Sequence, residues 1–359
     1  MITSIVVNFY CASMTTRAVK SLLHDMPDAA IIVVDNSADS GELAILRANL
    51  SFPRVQILAS PRNIGFGAAC NLGMQRSQTD YIFLLNPDAY VVPGCLARLH
   101  ACMENSNRLA AVSPMQWWDE EGQWLLPPAW LPTGPGMSAI EVAYRSERRA
   151  WDLSMAFRKL ALLAWTSDTG HIKQRALSGG ALMLRRSALP SSEELFDPAF
   201  FMYYEDSDLC LRLRQAGWTL GLATDAAIVH EWIHAPKKST LMEESKKIYL
   251  DKHFRDSAQW ESRMNARIAT RPAFGNPLNA VPLESGTPGL EVPISLQSQW
   301  LLEVSPSPLL IPAIGHIGKG PRARLLPSDL MQRLGSGPIY VRLGPIDGSS
   351  EGMATHVLS

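Results

Sequence analysis

"YIFLLNPDAYV", residues 81–91, is a short apolar run that breaks off at Asn-Pro-Asp. A run of this length bounded by a turn signal reads as a buried strand. Pro87 fixes φ and cannot donate to a ladder, so it stops the strand and presents Asp88 at the carboxyl end in a defined direction. Three comparable runs precede it: SIVVNF (4–9), AIIVVD (30–35) and VQIL (55–58). Helical patterns at about 14–25, 41–48 and 66–77 separate them. Such alternation predicts βαβ units and a mainly parallel sheet, and strands apolar throughout imply helices on both faces. The expected fold class is therefore α/β, Rossmann-like.

Polar groups gather where those strands end. Asp35 and Asn36 follow AIIVV, and Asn86 and Asp88 follow YIFLL. In an open doubly wound sheet ligands bind at that edge, so the four residues are expected in one crevice. Helix caps and turns account for Asp35 equally well. At Asp88 that reading is weaker, because of Pro87. A hard divalent cation bridging two phosphates needs such a carboxylate and few other protein ligands, since the phosphates and water fill its shell. Farther along, FFMYYEDSDLCLRLRQAGW (200–218) starts a helix with Glu205, Asp206 and Asp208 behind aromatics. Neighbouring charge and burial raise a carboxyl pKa from its reference of ~3.9, which suits a base; helix capping competes, more so for Glu205 and Asp208. No G-x-G-x-x-G follows the first strand, so a dinucleotide site is not supported.

The remaining chain is less regular. From Trp117 to about His171 the pattern dissolves into Trp, Pro and Gly, then a mixed helix near 146–165. This reads as an insertion, about 115–171, over the sheet edge. A strand entering a helix is expected at 176–189, a helix at 205–216, strands at 218–223 and 226–229, and a polar surface helix from 240 to about 267. Composition shifts after Arg271. Residues 1–271 are taken as the main domain and 272–359 as a small β-rich appendage on a linker, with strand-like runs at 292–304, 308–314, 338–343 and 354–358.

Bulk properties exclude several classes. Of 359 residues, 47% are hydrophobic, and the formal net charge is -1, so no basic excess drives nucleic-acid binding. Five cysteines lack C-x-x-C spacing, which speaks against a disulfide framework or a zinc site and fits a reducing cytosol. The start MITSIVVNFY reads as a strand rather than a signal peptide, and no run reaches ~18 apolar residues. A cytoplasmic protein is expected. Arg145, Arg148, Arg149, Arg158 and Lys159, beside an apolar stripe, suit a peripheral contact with anionic lipid at the inner membrane. Trp117, Trp118, Trp124 and Trp130 suit acceptor sugars, a membrane interface or a packed lid.

The ordered set AIIVVDNSAD (30–39), RNIGFGAACNLGM (62–74), LLNPDAYV (84–91), SGGALMLRRSAL (178–189), FFMYYEDSDLCLRLRQAGW (200–218) and IVHEW (228–232) resembles the family 2 inverting glycosyltransferases of the GT-A fold. Within them it is most similar to bacterial rhamnosyltransferase-type enzymes of surface polysaccharide synthesis, over about residues 3–260. The resemblance makes Asp88 the last carboxylate of the family's D-x-D metal motif, with Asn86 departing from the first. It implies Asp206 as general base and a Mn2+ or Mg2+ cofactor held by Asp88 and His230. Asn8, Phe9, Asp35, Asn36, Asn63, Gly65 and Asn71, with Asn86 and Asp88, would line the nucleotide-sugar pocket. Gly179, Gly180 and Glu205 would face a glycan or polyprenyl-linked acceptor. His230, and less so His234, otherwise reads as an ordinary satisfied histidine. A sugar nucleotidyltransferase would want a Gly-rich, basic signature after the first strand, which NFYCASMTTR lacks; a silent sugar-nucleotide or glycan-binding protein would not need both Asp88 and Asp206. An oligomer stays open.

Overall fold

The computed structural model describes residues 1–190, 194–233, 239–255, 262, 266, 268, 270–284 and 286–358. The chain begins β1 (Ile2–Asn8), α1 (Ala12–Asp25), β2 (Ala30–Asp35), α2 (Ser40–Asn49), β3 (Val55–Ala59), α3 (Phe66–Arg76) and β4 (Tyr81–Leu85). It continues through β5 (Ala89–Val91), α4 (Cys95–Glu104), β6 (Leu109–Trp117), α5 (Gly134–Ala143), α6 (Glu147–Thr166), β7 (His171–Gln174) and β8 (Ala181–Arg185). Next come α7 (Glu205–Gln215), β9 (Thr219–His230) and α8 (Ser239–His253). Among the described residues, β1–β9 form one sheet in the order β3-β2-β1-β4-β8-β6-β9-β5, with β7 paired to β9.

Strands β3, β2, β1 and β4 run parallel, as the alternation requires. Side chains alternate between two buried faces: Val6, Phe83 and Leu85 pack into one core, and Ile5, Ile82 and Leu84 into the other. Helices on both sides take up this surface, so these strands read as continuous apolar runs. β8 enters antiparallel to β4, and β6 antiparallel to β8. β9 then runs parallel to β6, while β5 runs antiparallel to β9. Consequently the carboxyl ends of β1, β2, β4, β6 and β9 share one edge with the amino end of β8. The order reverses between β1 and β4, the switch point at which α/β sheets open a crevice.

Several expectations shift. The two strands expected at 218–229 are one, β9, whose pairing with β6 slips between Pro114 and Met115. The segment after β8 closes as a single 3-10 turn, Arg186–Ala188, rather than a helix. α5 was hidden by its Gly and Pro content; Thr133 caps it by accepting from the Gly136 amide at 3.1 Å, and Pro135 stands in the first turn, where no amide is needed. α8 is not merely solvated: Tyr249 is fully buried and its hydroxyl donates to the Pro132 carbonyl at 2.9 Å.

The C-terminal part contains β10 (Val281–Pro282), β11 (Gly289–Glu291), β12 (Trp300–Ser305), β13 (Ile314–Gly318), β14 (Arg322–Arg324), α9 (Ser328–Arg333), β15 (Ile339–Pro345) and β16 (Ala354–Leu358). Among the described residues β10-β16-β15-β12-β13 form a second sheet, and β11 pairs with β14. The insertion packs against it. Trp118 and Trp124 are buried in the core of this second sheet beside Trp300, Leu302 and Val341, so these two indoles are structural and not open to sugar or lipid. Arg158 is likewise withdrawn from any surface role. It is 1% exposed and pairs with Glu303, which also receives Arg342 at 2.7 and 2.8 Å. Burying these charges is tolerable only because each is paired and hydrogen-bonded. Leu160 and Leu163 remain 57% exposed on α6. No helix among the described residues is long and apolar enough to cross a membrane, and the five cysteines are free.

Candidate active site

The shared sheet edge is organised around the loop before β8. The Gly179 amide donates to Asp206 Oδ2 at 3.2 Å, which fixes the first turn of α7 over this loop. At Gly180 an added Cβ would lie 3.1 Å from Asn86 Nδ2, 3.2 Å from His230 Cε1 and 3.3 Å from Ser178 Oγ. A side chain here would push Asn86, His230 or Ser178 aside by a few tenths of an ångström. The Asn86 amide also donates to the Gly180 carbonyl at 2.8 Å, extending the β4–β8 ladder by one residue. Ser178-Gly179-Gly180 thus joins Asp206 on one side to Asn86 and His230 on the other.

Asp88 and His230 face each other across β5 and β9. Ala89 pairs with His230, and the Glu231 amide donates to the Asp88 carbonyl at 2.9 Å. His230 Nε2 lies 3.3 Å from Asp88 Oδ1, is buried and makes no hydrogen bond. His230 Nδ1 is 2.9 Å from Gln116 Oε1. Gln116 braces the Nδ1 side of the ring, which leaves the Nε2 edge turned toward Asp88. An imidazole nitrogen, a carboxylate oxygen and a polar partner bracing the ring suit a divalent cation. No group of three or more His, Cys, Asp or Glu among the described residues could hold a metal, so this pair would need substrate oxygens and water to complete a shell. Gln116 was not foreseen; it sits at the end of a strand running into "QWWDEE", where only the fold shows that it reaches His230.

The carboxyl pair on α7 is built on strain. Tyr203 and Tyr204 both adopt left-handed backbone, φ 72° and 65°, immediately before the helix. Side chains of this size pay of order 1–3 kcal/mol each for it, and such strain concentrates at functional sites. The turn aims Glu205 inward. Glu205 is 6% exposed and its Oε2 has no hydrogen-bond partner. Burial, and then the charge of Asp206, push its pKa up to about 8. Burial also raises Asp206, but the amides of Gly179 and Ser207 work against the rise. The two carboxyls thus differ in surroundings: Glu205 Oε2 meets no donor, whereas Asp206 accepts from two backbone amides that favour its charged form. Asp208 does different work. It pairs with Arg212, Lys252 and His253 at 2.7–2.8 Å, which lower its pKa to about 2 despite burial.

One expectation follows for stability. Glu205 binds its proton more tightly folded than unfolded, so its contribution is fully present below pH ~4.5 and is lost as pH rises through about 8. The slope approaches about 1.4 kcal/mol per pH unit inside that window. Thermal unfolding between pH 5 and 8.5 should show wild type losing Tm relative to Glu205→Gln. Parallel curves would mean that Glu205 ionises normally.

The other foreseen residues fall into two groups. Asn8, Asp35 and Asn36 lie at the edge but are buried in a network of their own. Asn8 Nδ2 donates to Asp35 Oδ1 at 3.0 Å, and Asn36 Nδ2 to Asn63 Oδ1 at 2.8 Å. Asp39, not Asp35, caps α2. Asn63 accepts from the Gly65 amide at 3.0 Å. Gly65 has φ 86°, and a Cβ there would stand 2.4 Å from the Phe201 carbonyl, so the 62–66 loop and the segment leading to Asp206 are locked together. Phe9, just past the end of β1, is 48% exposed and meets the Tyr10 ring edge-on. Asn71 is engaged elsewhere: its amide donates to the Phe196 carbonyl at 2.7 Å and accepts from the Phe196 amide at 2.9 Å, tying α3 to the chain before α7. His234 lies outside the described residues.

Residues 3–162 match the family model described as glycosyl transferase family 2. The chain carries a family 2 glycosyltransferase domain. The match ends before Gly179, Asp206 and His230, so their roles rest on geometry and on the resemblance in sequence. An N-acetylglucosaminyl-diphospho-decaprenol L-rhamnosyltransferase of Mycobacterium tuberculosis is 28% identical over 260 residues, covering 67% of this chain and 80% of that enzyme. A low-salt glycan biosynthesis hexosyltransferase of Haloferax volcanii is 25% identical over 228 residues, covering 62% of this glycosyltransferase and 64% of the relative. A solved structure of GalNAc-T7 with UDP, GalNAc and Mn2+ aligns over 64% of this glycosyltransferase and 43% of its own chain, at 17% identity and a TM-score of 0.46, too loose a superposition to argue from.

Proposed function

We propose that this glycosyltransferase moves a sugar, with inversion, from a nucleoside diphosphate to a hydroxyl of a glycan or polyprenyl-linked glycan in bacterial surface or exopolysaccharide synthesis. The observation that carries the reading is the Ser178-Gly179-Gly180 loop, which holds Asp206 on one side and touches Asn86 and His230 on the other. Asp206 takes the proton of the acceptor hydroxyl as its oxygen attacks the anomeric carbon. The diphosphate leaves from the opposite pole, where Asp88 and His230 would hold Mn2+ or Mg2+. When bound, such a cation offsets charge on the leaving diphosphate. Asn86 lies beside that pole, and Phe9 supplies an aromatic face for the base. Gly179 and Gly180 form the acceptor floor, with the buried Glu205 behind Asp206 rather than facing the acceptor.

The rhamnosyltransferase relative favours a dTDP-rhamnose donor and a polyprenyl-diphosphate-linked acceptor, with UDP-hexoses next. A water-soluble donor and a polyprenyl-linked acceptor together would put the enzyme at the cytoplasmic face of the inner membrane. Unfolding scans against a panel of nucleotide sugars, with Mn2+ and with EDTA, test the donor side. A bound donor at about a hundred times its Kd should stabilise by about 2.7 kcal/mol. The expected result is one nucleotide class that raises Tm with Mn2+ and little with EDTA. No shift with any nucleotide sugar would overturn the reading, and donor binding without transfer to any glycan acceptor would favour a silent binding protein.

A further inference from the structure

The C-terminal sheet reaches the donor pole through a short relay of named contacts. β9 ends at His230, and the chain turns at once, the Trp232 amide donating to the His230 carbonyl at 2.7 Å. Three side chains hold this turn from outside. Arg17 of α1 pairs with Glu231 Oε2 and stacks 4.5 Å from the Tyr90 ring centroid. Arg333, the last residue of α9, places Nη2 3.8 Å from Glu231 Oε1 and donates from Nη1 to the Trp118 carbonyl at 3.1 Å. Trp118, fully buried, donates its indole N–H to the Trp232 carbonyl at 2.7 Å. Trp232 in turn packs against the core of the C-terminal sheet.

Glu231 is therefore gripped between the catalytic domain and the C-terminal unit. Its amide is bonded to the Asp88 carbonyl, and its neighbour His230 presents Nε2 to Asp88 Oδ1. The guanidinium of Arg333 is 24% exposed at its side chain, so its pairing with Glu231 is partly shielded from solvent. Its planar fork can serve a carboxylate and a carbonyl together, as an ammonium at one point cannot.

We propose that Arg333 is a positioning residue for the donor site: from the C-terminal unit it fixes the Glu231–Trp232 turn and so sets His230 against Asp88. The C-terminal sheet is then part of the catalytic machinery rather than a passenger. The inference rests on the reading of Asp88 and His230 as the diphosphate and cation pole. It assigns Arg333 no contact with substrate. Residues outside a metal's immediate ligands that orient them typically govern affinity by about 10–100-fold, and one step farther out about three- to tenfold is expected.

The experiment uses the full chain and measures binding of UDP and of dTDP in the presence of Mn2+ by calorimetry, with Mn2+ half-saturation of transfer and unfolding temperature alongside. Arg333→Met should weaken nucleotide binding with Mn2+ about three- to tenfold and raise the Mn2+ requirement, leaving kcat at saturating Mn2+ and donor nearly unchanged. Glu231→Gln should do the same, and the double variant should add little, because both break one linkage. Leu309→Ala, in a separate buried cluster of the C-terminal part that contains none of the relay residues, is the control: it should lower Tm without moving Kd. If Arg333→Met lowers Tm as Leu309→Ala does and leaves Kd and Mn2+ half-saturation at wild-type values, the residue is only a clamp and the proposal fails. Asp88→Ala separates this failure from a deeper one, since nucleotide binding unaffected by Asp88→Ala would overturn the donor pole itself.

Discussion

Asp206→Asn should leave a folded enzyme that binds donor normally and transfers almost nothing. The asparagine keeps the volume and can still accept the Gly179 amide, so the Ser178–Gly180 loop should hold its place. What it loses is the capacity to take a proton. General-base assistance is typically worth ~10²–10⁴-fold, and kcat should fall by that order with nucleotide Kd within about twofold of wild type. Glu205 does not substitute, because its side chain is buried and its Oε2 points into the protein without a hydrogen-bond partner. Steady-state transfer assays on Asp206→Asn and Glu205→Gln decide the matter. A wild-type rate in Asp206→Asn would remove Asp206 from the mechanism. A deeper loss in Glu205→Gln would move the base one residue back.

The first half of the fold was legible because its signals are local. Short apolar runs, each ended within a few residues by Asp, Asn, Ser or Pro, marked β1 to β4 and their order of alternation. The same signals placed Asp88 at a strand end, since Pro87 acts on its own neighbours. What depends on distant partners could not be read. Trp118 and Trp124 look like ligand-facing aromatics until the second sheet closes over them. Arg158 looks like a surface cation until Glu303, 145 residues away, is placed beside it. Gln116 has no motif, yet it braces the His230 ring from a neighbouring strand. Asn71 lies in a motif that the resemblance assigns to the donor, but its amide is spent on the Phe196 backbone.

The largest effect expected at the donor pole comes from Asp88→Ala. Its carboxylate faces His230 Nε2 at 3.3 Å, and where the family motif has another carboxylate this chain has Asn86. An amide oxygen is a weaker cation ligand, so little compensates for the loss. His230 would remain with no anionic partner, and one imidazole is a poor site for Mn2+ by itself. Leaving-group stabilisation is worth several kcal/mol, so kcat/KM should drop about a hundred- to thousandfold, equivalent to about 3–4 kcal/mol. Unlike Asp206→Asn, this variant should also lose nucleotide affinity, and the part that depends on Mn2+ should vanish. Asp88→Asn should fall between, since it keeps one oxygen but not the charge. Calorimetry with UDP and dTDP, each with Mn2+ and with EDTA, reads both quantities directly. If Asp88→Ala binds nucleotide as wild type does in Mn2+, then the cation, where one is used, sits elsewhere, and His230 faces Asp88 for another reason.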